Sequence, residues 1–255
     1  MTTNILLALI MSGTIGAIAG YLGSLMLSKR MALMGGALGH LTLPGVALAL
    51  LYDFDVSLGA TLFLALGVLI IWLLEQKTRL HLEALTAVVF SASLATAFLF
   101  LPKEEIDIAL LGDVSQITPV TVLITVIISL SLFFTIKKIY SSMVLASISS
   151  DLAQTSGVNL KLNNALYLLC IAVTVALGVR IVGGLMTAAL LALPACTAKN
   201  ISSNLRQYTI ISTLAGSLAC ILGVISYAIS DIPAGPLIII ASALLFLVSV
   251  FKRDL

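Results

Sequence analysis

One histidine, His40, stands inside a long apolar stretch, Gly35-Gly36-Ala37-Leu38-Gly39-His40-Leu41-Thr42-Leu43-Pro44-Gly45-Val46-Ala47. Ionisable groups buried in apolar surroundings are costly and face a cavity or a partner. Pro44 follows four residues later. In a helix, residue 44 would donate its N–H to the carbonyl of residue 40, and proline has no N–H to give. One turn of chain therefore offers an imidazole and a bare carbonyl, both stopping places for a passing cation. The same residues also describe a kinked helix whose histidine bonds a neighbour. A lone histidine falls short of the three or four protein ligands of a zinc centre, but it suits a path that must bind weakly and release. Pro194, in Leu191-Ala192-Leu193-Pro194-Ala195-Cys196-Thr197-Ala198, repeats the device. It frees the Leu190 carbonyl near the Thr197 hydroxyl, as a kinked inner helix or as part of a pore lining. Asp231 opens Asp-Ile-Pro-Ala-Gly-Pro, residues 231–236, where an acid and prolines suit a helix N-terminus.

Other chemistry is missing from the sequence. Cys170, Cys196 and Cys220 are far apart in apolar runs, which supports neither a disulfide framework nor a zinc knuckle. His81 falls in a polar loop. There is no G-x-x-x-x-G-K-[ST], H-E-x-x-H or G-x-S-x-G, so neither P-loop ATP hydrolysis nor these hydrolytic constellations are encoded.

The elements that position these residues follow from composition. Hydrophobic residues make up 60% of the chain and charged residues 9%, with a mean hydropathy of +1.20. Soluble domains carry about 25% charged residues, so this chain must face lipid or itself. A bilayer core takes roughly 20 apolar residues per helix. The spans expected are 5–27, 32–51, 58–74, 84–101, 118–136, 163–179, the short 183–198, 208–229 and 234–251. The fold class is all-α, a polytopic bundle of eight or nine membrane-spanning helices in a single domain, 1–255, with the first span retained rather than cleaved as a signal. If nine spans alternate, eleven of the 13 Lys and Arg residues fall on one side, and only Lys103 and Arg180 fall opposite. The positive-inside rule then places the N-terminus outside and the C-terminus in the cytoplasm. The opposite loops carry Asp53, Asp55, Glu104, Glu105, Asp107 and Asp231. They are suited to attracting cations, or simply to being solvated.

Two spans carry G-x-x-x-G, Gly16/Gly20 and Gly35/Gly39, a spacing that lets a second helix approach closely. The longest polar stretch between spans lies within 137–161. In it, Ser149 or Ser150 can cap a helix of about two turns and Gly157 can end it. So short a helix is unstable alone and must dock on its own bundle or on a cytoplasmic partner.

Taken in order, these pieces resemble the metal-ion permeases of ATP-binding-cassette importers, and most closely the bacterial zinc-uptake permeases. The likeness runs through Gly20–Ser24, Arg30–Leu33, His40, Leu43–Ala47, Leu111–Val114, Asp151–Ala153 with Gly157-Val158, Val182–Leu185, Leu193–Ala198 and Asp231–Pro236. The resemblance implies a transport subunit of a bacterial plasma (inner) membrane without its own ATPase site. It implies a second permease copy as homodimer partner, a cytoplasmic ATPase subunit and an extracytoplasmic metal-binding protein, with lipid around it and no nucleic acid. No permanent cofactor is implied; Zn2+, or Mn2+, would be cargo. His40, Pro44 and Asp231 would mark the metal pathway. Asp151, Leu152, Ala153 and Gly157, within a region of about 147–158, would couple to the ATPase. Gly16, Gly20, Gly35, Gly39 and Pro194 would pack helices. One departure stands out: the family's usual aspartate four residues before the histidine is Gly36 here, which leaves His40 alone on its helix. An imidazole without a carboxylate leans towards zinc over manganese or iron. A secondary transporter or channel is the alternative. An intramembrane enzyme would need more ionisable residues within the spans than His40.

Overall fold

The computed structural model describes residues 2–31, 34–54, 56–78, 80–100, 117–183, 186–230 and 232–253. The described residues form helices and connecting segments: α1 (Thr2–Ser28), α2 (Met34–His40), α3 (Leu43–Leu51), α4 (Val56–Lys77), α5 (Leu82–Phe100), α6 (Pro119–Ile148), α7 (Ser150–Thr155), α8 (Leu160–Val182), α9 (Thr187–Ile201), α10 (Leu205–Ser230) and α11 (Ala234–Arg253). Six of them, α1, α4, α6, α8, α10 and α11, are long and apolar enough to cross a membrane. Met34–Ala49 and Leu82–Ala97 form shorter apolar stretches. The described residues thus form an all-helical bundle in which these six helices are candidate membrane spans. The stretch expected to be one span over 32–51 is two helices, α2 and α3, separated at Leu41-Thr42. The helix expected over 118–136 runs on to Ile148, three turns beyond the apolar stretch.

Helix α1 is the hub. It packs most extensively on α10 and also touches α6, α8 and α9. Its inward face is tightly buried, with Ile15, Leu22 and Leu25 at 0% exposure, while outer helices such as α6 leave Leu123, Ile127 and Phe134 bare. That inversion of the soluble pattern is what a lipid solvent selects. The α1–α10 contact depends on small residues. A Cβ on Gly16 would overlap the Gly216 carbonyl, and one on Gly20 would overlap the Ser212 carbonyl. Backbones this close allow the Ser212 hydroxyl to donate to the Gly20 carbonyl at 2.6 Å. The same principle joins α3 to α4, where Gly45 and Gly59 face one another's carbonyls.

Helix ends that carry the basic residues meet at one end of the bundle. Lys29 Nζ lies 3.4 Å from Asn164 Oδ1, Asn164 Nδ2 donates to Glu75 Oε1 at 2.6 Å, and Lys29 also sits 4.8 Å from the Tyr167 ring centroid. This ties the end of α1 to the end of α4 and the start of α8. Arg30 closes α1 in the left-handed region, φ 61°. Its neighbour Met31 donates back to the Met26 carbonyl at 2.9 Å, the six-to-one bond of a Schellman ending made without glycine.

Candidate functional site

The break between α2 and α3 is local chemistry. Pro44 sits in the first turn of α3, where its missing N–H costs nothing. The turn before it is held by Gly39, whose carbonyl accepts both the Thr42 hydroxyl at 2.7 Å and the Thr42 N–H at 3.3 Å. Among the described residues no donor reaches the His40 carbonyl. His40 is therefore the last residue of a half-helix, at the end where the peptide dipoles leave negative charge and favour cations. Its ring is half-buried, 5.3 Å from the Phe90 ring on α5. Its Nδ1 is buried without a hydrogen-bond partner, although buried polar atoms are normally paired. An imidazole nitrogen, a bare carbonyl and a half-helix C-terminus thus come together at the break, and each of these groups is of the kind that favours a cation.

The wall opposite is α9. Gly35 and Gly36 place α2 against it: a Cβ on Gly35 would lie 2.6 Å from Leu191 Cδ1, and one on Gly36 would lie 2.7 Å from Ala188 Cβ. Position 36, where the resemblance expects an aspartate, is thus a helix contact with no room for a carboxylate unless Ala188 gives way. Gly39 is buried at the break. Pro194 lies buried inside α9, which continues through it. The Thr197 hydroxyl donates to the Leu193 carbonyl at 2.9 Å, not to the Leu190 carbonyl that the proline leaves without its helical donor. Gly23 of α1 receives the Leu191 carbonyl of α9 so closely that a Cβ would overlap it. Among the described residues no group of three or more His, Cys, Asp or Glu side chains could hold a metal. Asp231 and Leu111–Val114 lie outside the described residues.

The second place of interest is the short helix α7. The Ser149 hydroxyl accepts the Leu152 N–H at 3.2 Å as its N-cap. At the other end Gly157, φ +80°, turns the chain, and Val158 donates to the Ala153 carbonyl at 3.0 Å. Ala153 is fully buried and fixes the helix to the bundle, whereas Leu152 is 53% exposed and Asp151 is open to solvent. The helix presents one bare leucine and one acid outward.

The model of the ABC 3 transport family matches residues 1–253. The chain belongs to the ABC 3 transport family. It is 30% identical to the high-affinity zinc uptake system membrane protein ZnuB of Haemophilus influenzae, covering 97% of each chain. It is 26% identical to the manganese transport system membrane protein MntC of Listeria monocytogenes over 95% of this chain and 88% of that one. The solved structure of PsaBC from Streptococcus pneumoniae in complex with Fab superposes with a TM-score of 0.79 at 25% identity, covering 95% of this chain and 89% of that chain. ABC 3 membership extends over the half-helix, the proline-containing α9 and the capped α7 alike.

Several residues at these places escaped sequence reasoning. Phe90, which backs His40, is one phenylalanine among nine. The cluster of Lys29, Glu75 and Asn164 left a faint signal, since Glu75 is an acid at the edge of an apolar run. Its partners lie 46 and 89 residues away in sequence and only the fold unites them.

Proposed function

We propose that the chain is the membrane permease of an ATP-driven importer carrying a divalent transition metal, zinc in preference to manganese, inward across a bacterial plasma membrane. The observation that carries this is the break between α2 and α3 in an ABC 3 transport chain, which leaves the His40 imidazole nitrogen and carbonyl unpaired among the described residues. Relatives named for zinc uptake and for manganese transport both match over most of their length, so the metal class rests on similarity and the choice within it on chemistry. A site with an imidazole and no carboxylate one turn away favours zinc.

In this reading the bundle crosses the bilayer eight or nine times: the six long helices, the two shorter apolar stretches and the 15-residue α9. The end gathering Lys29, Lys137 and Arg206 faces the cytoplasm, with the N-terminus outside. Two copies form the pathway. An extracytoplasmic protein delivers the metal at the outer mouth near Asp231, and it passes His40 and Pro44. A separate ATPase grips α7 through Asp151 and Leu152, with Ala153 and Gly157 holding the helix in place. Mechanically, the pull on α7 passes into α6, its direct continuation, and from α6 into α1 at the hub. The His40 site needs no deep well, because a stop that binds weakly releases on the far side.

Reconstitution into proteoliposomes tests the reading. Zinc uptake is expected only with the ATPase subunit and ATP present. Uptake driven by a gradient in the permease alone would instead identify a secondary transporter.

A further inference from the structure

At the end of the bundle where the basic residues gather, α1, α6 and α10 enclose an open cleft of about 340 Å³. Lys137 on α6 and Arg206 on α10 flank it, the Tyr21 and Tyr140 rings stack at 5.6 Å against it, and Ser141 and Thr209 add hydroxyls. No acidic side chain lines the cleft, and neither cation has an ion-pair partner among the described residues. The hydroxyls of Tyr21 and Ser141 likewise lack a protein partner among them. Two unpaired cations and two unspent donors around one small cavity describe an anion site.

What lies beside the cations identifies the anion. On α6, Phe134 and Leu130 stand three and seven residues before Lys137, on the same helical face, at 60% and 57% exposure. On α10, Ile210 and Leu214 stand four and eight residues after Arg206, again on its face, at 49% and 56% exposure. Both bare apolar tracks lead from the cationic end into the span. On α1 between them, Ala17 and Thr14 are only partly buried, one and two turns from Tyr21. A cationic, hydroxyl-lined cleft that opens onto an apolar track matches a molecule with a phosphate at one end and hydrocarbon at the other.

We propose that this cleft binds the headgroup of an anionic phospholipid of the cytoplasmic leaflet, its acyl chains lying along α1 between α6 and α10. The assignment to that leaflet rests on the permease reading and its orientation. Lys137 and Arg206 hold the phosphate, with hydrogen bonds from Ser141 and Tyr21. The site would make the contact between α1 and the α6 arm depend on lipid composition.

The test is native mass spectrometry of the intact purified protein in mild detergent, titrated with phosphatidylglycerol or with phosphatidylethanolamine. Phosphatidylglycerol is expected to be retained preferentially. Lys137→Gln with Arg206→Gln is expected to weaken retention on the order of twenty-fold, from roughly five-fold per basic residue near an anionic surface. Lys137→Arg with Arg206→Lys is expected to keep it, which separates lost charge from lost folding. Inorganic phosphate in excess should fail to displace the lipid; displacement would assign a free-phosphate site and overturn the lipid source. Equal retention of both lipids, or no effect of the glutamine pair, would overturn the site. A disulfide formed between two copies through Ser141→Cys would show that a second copy covers the face, and would also overturn it. The readout needs neither metal nor ATP. Its failure leaves the transport reading intact, and failure of ATP-driven uptake leaves the lipid measurement to stand alone.

Discussion

Gly20→Ala is the sharpest test of how the bundle is assembled. In an exposed helix the change stabilises by about 0.8–1 kcal/mol, because alanine has the higher helix propensity. At this position the new Cβ would overlap the Ser212 carbonyl, so α1 and α10 must separate. Separation stretches the hydrogen bond from the Ser212 hydroxyl to the Gly20 carbonyl, 2.6 Å in the native contact. That bond contributes about 0.6 kcal/mol by the average measured between membrane helices. Overpacking adds about 1–3 kcal/mol. The net expectation is a loss of about 1–3 kcal/mol, opposite in sign to the propensity term. Gly13→Ala is the control on the same helix: its Cβ would meet Ile221 and Ser217 at ordinary contact, 3.4 and 3.5 Å, so the variant should be neutral or slightly more stable. Unfolding in mixed detergent micelles, followed by circular dichroism, reads both. A Gly20→Ala protein as stable as Gly13→Ala would refute the claim that close backbone approach holds α1 on α10.

Burial lowers the Lys29 ammonium from the ordinary lysine value of 10.5 to about 8, with Glu75 opposing the shift. The unfolded chain therefore binds more protons between about pH 8 and 10.5, so stability should rise with pH across that window and be flat below it; thermal midpoints should show this slope, and Lys29→Met should reduce it. Gly36→Asp should destabilise by about 1–3 kcal/mol through its contact with Ala188, and adding Ala188→Gly should restore folding while placing a carboxylate one turn from His40. Competition uptake should then shift from zinc towards manganese, and an unchanged ratio in a folded double variant would count against the proposed basis of metal choice. Ser149→Ala removes the α7 cap and should cost about 1 kcal/mol. Metal-stimulated ATPase activity of the assembled complex should fall more than basal activity; a parallel fall in both would argue against α7 as the coupling element.

The apolar helices and the shared end of their basic residues were legible because a lipid solvent writes them in composition, and no long-range information is needed. The α7 boundaries were legible for a different reason: Ser149 and Gly157 act within a few residues of themselves. The interruption at Leu41-Thr42 is only half legible, since Pro44 announces a missing donor but not whether the helix bends or ends. Its outcome depends on the Thr42 side chain returning to the Gly39 carbonyl, which nothing in the hydropathy pattern marks. The sequence alone presents Gly36 as a missing ligand, while the fold shows a helix contact with Ala188. That contact spans 152 residues of sequence and belongs to packing alone. The cleft between Lys137 and Arg206 is invisible in the sequence for the same reason, although the charge pattern puts both residues on one side.

The most direct test concerns His40. With the permease and its ATPase in proteoliposomes, zinc uptake per unit of assembled complex is compared between wild type and His40→Ala. The account predicts at least a ten-fold fall, about 1.4 kcal/mol or more, with subunit assembly and basal ATPase activity retained. Uptake at the wild-type rate in the fully assembled variant would contradict it.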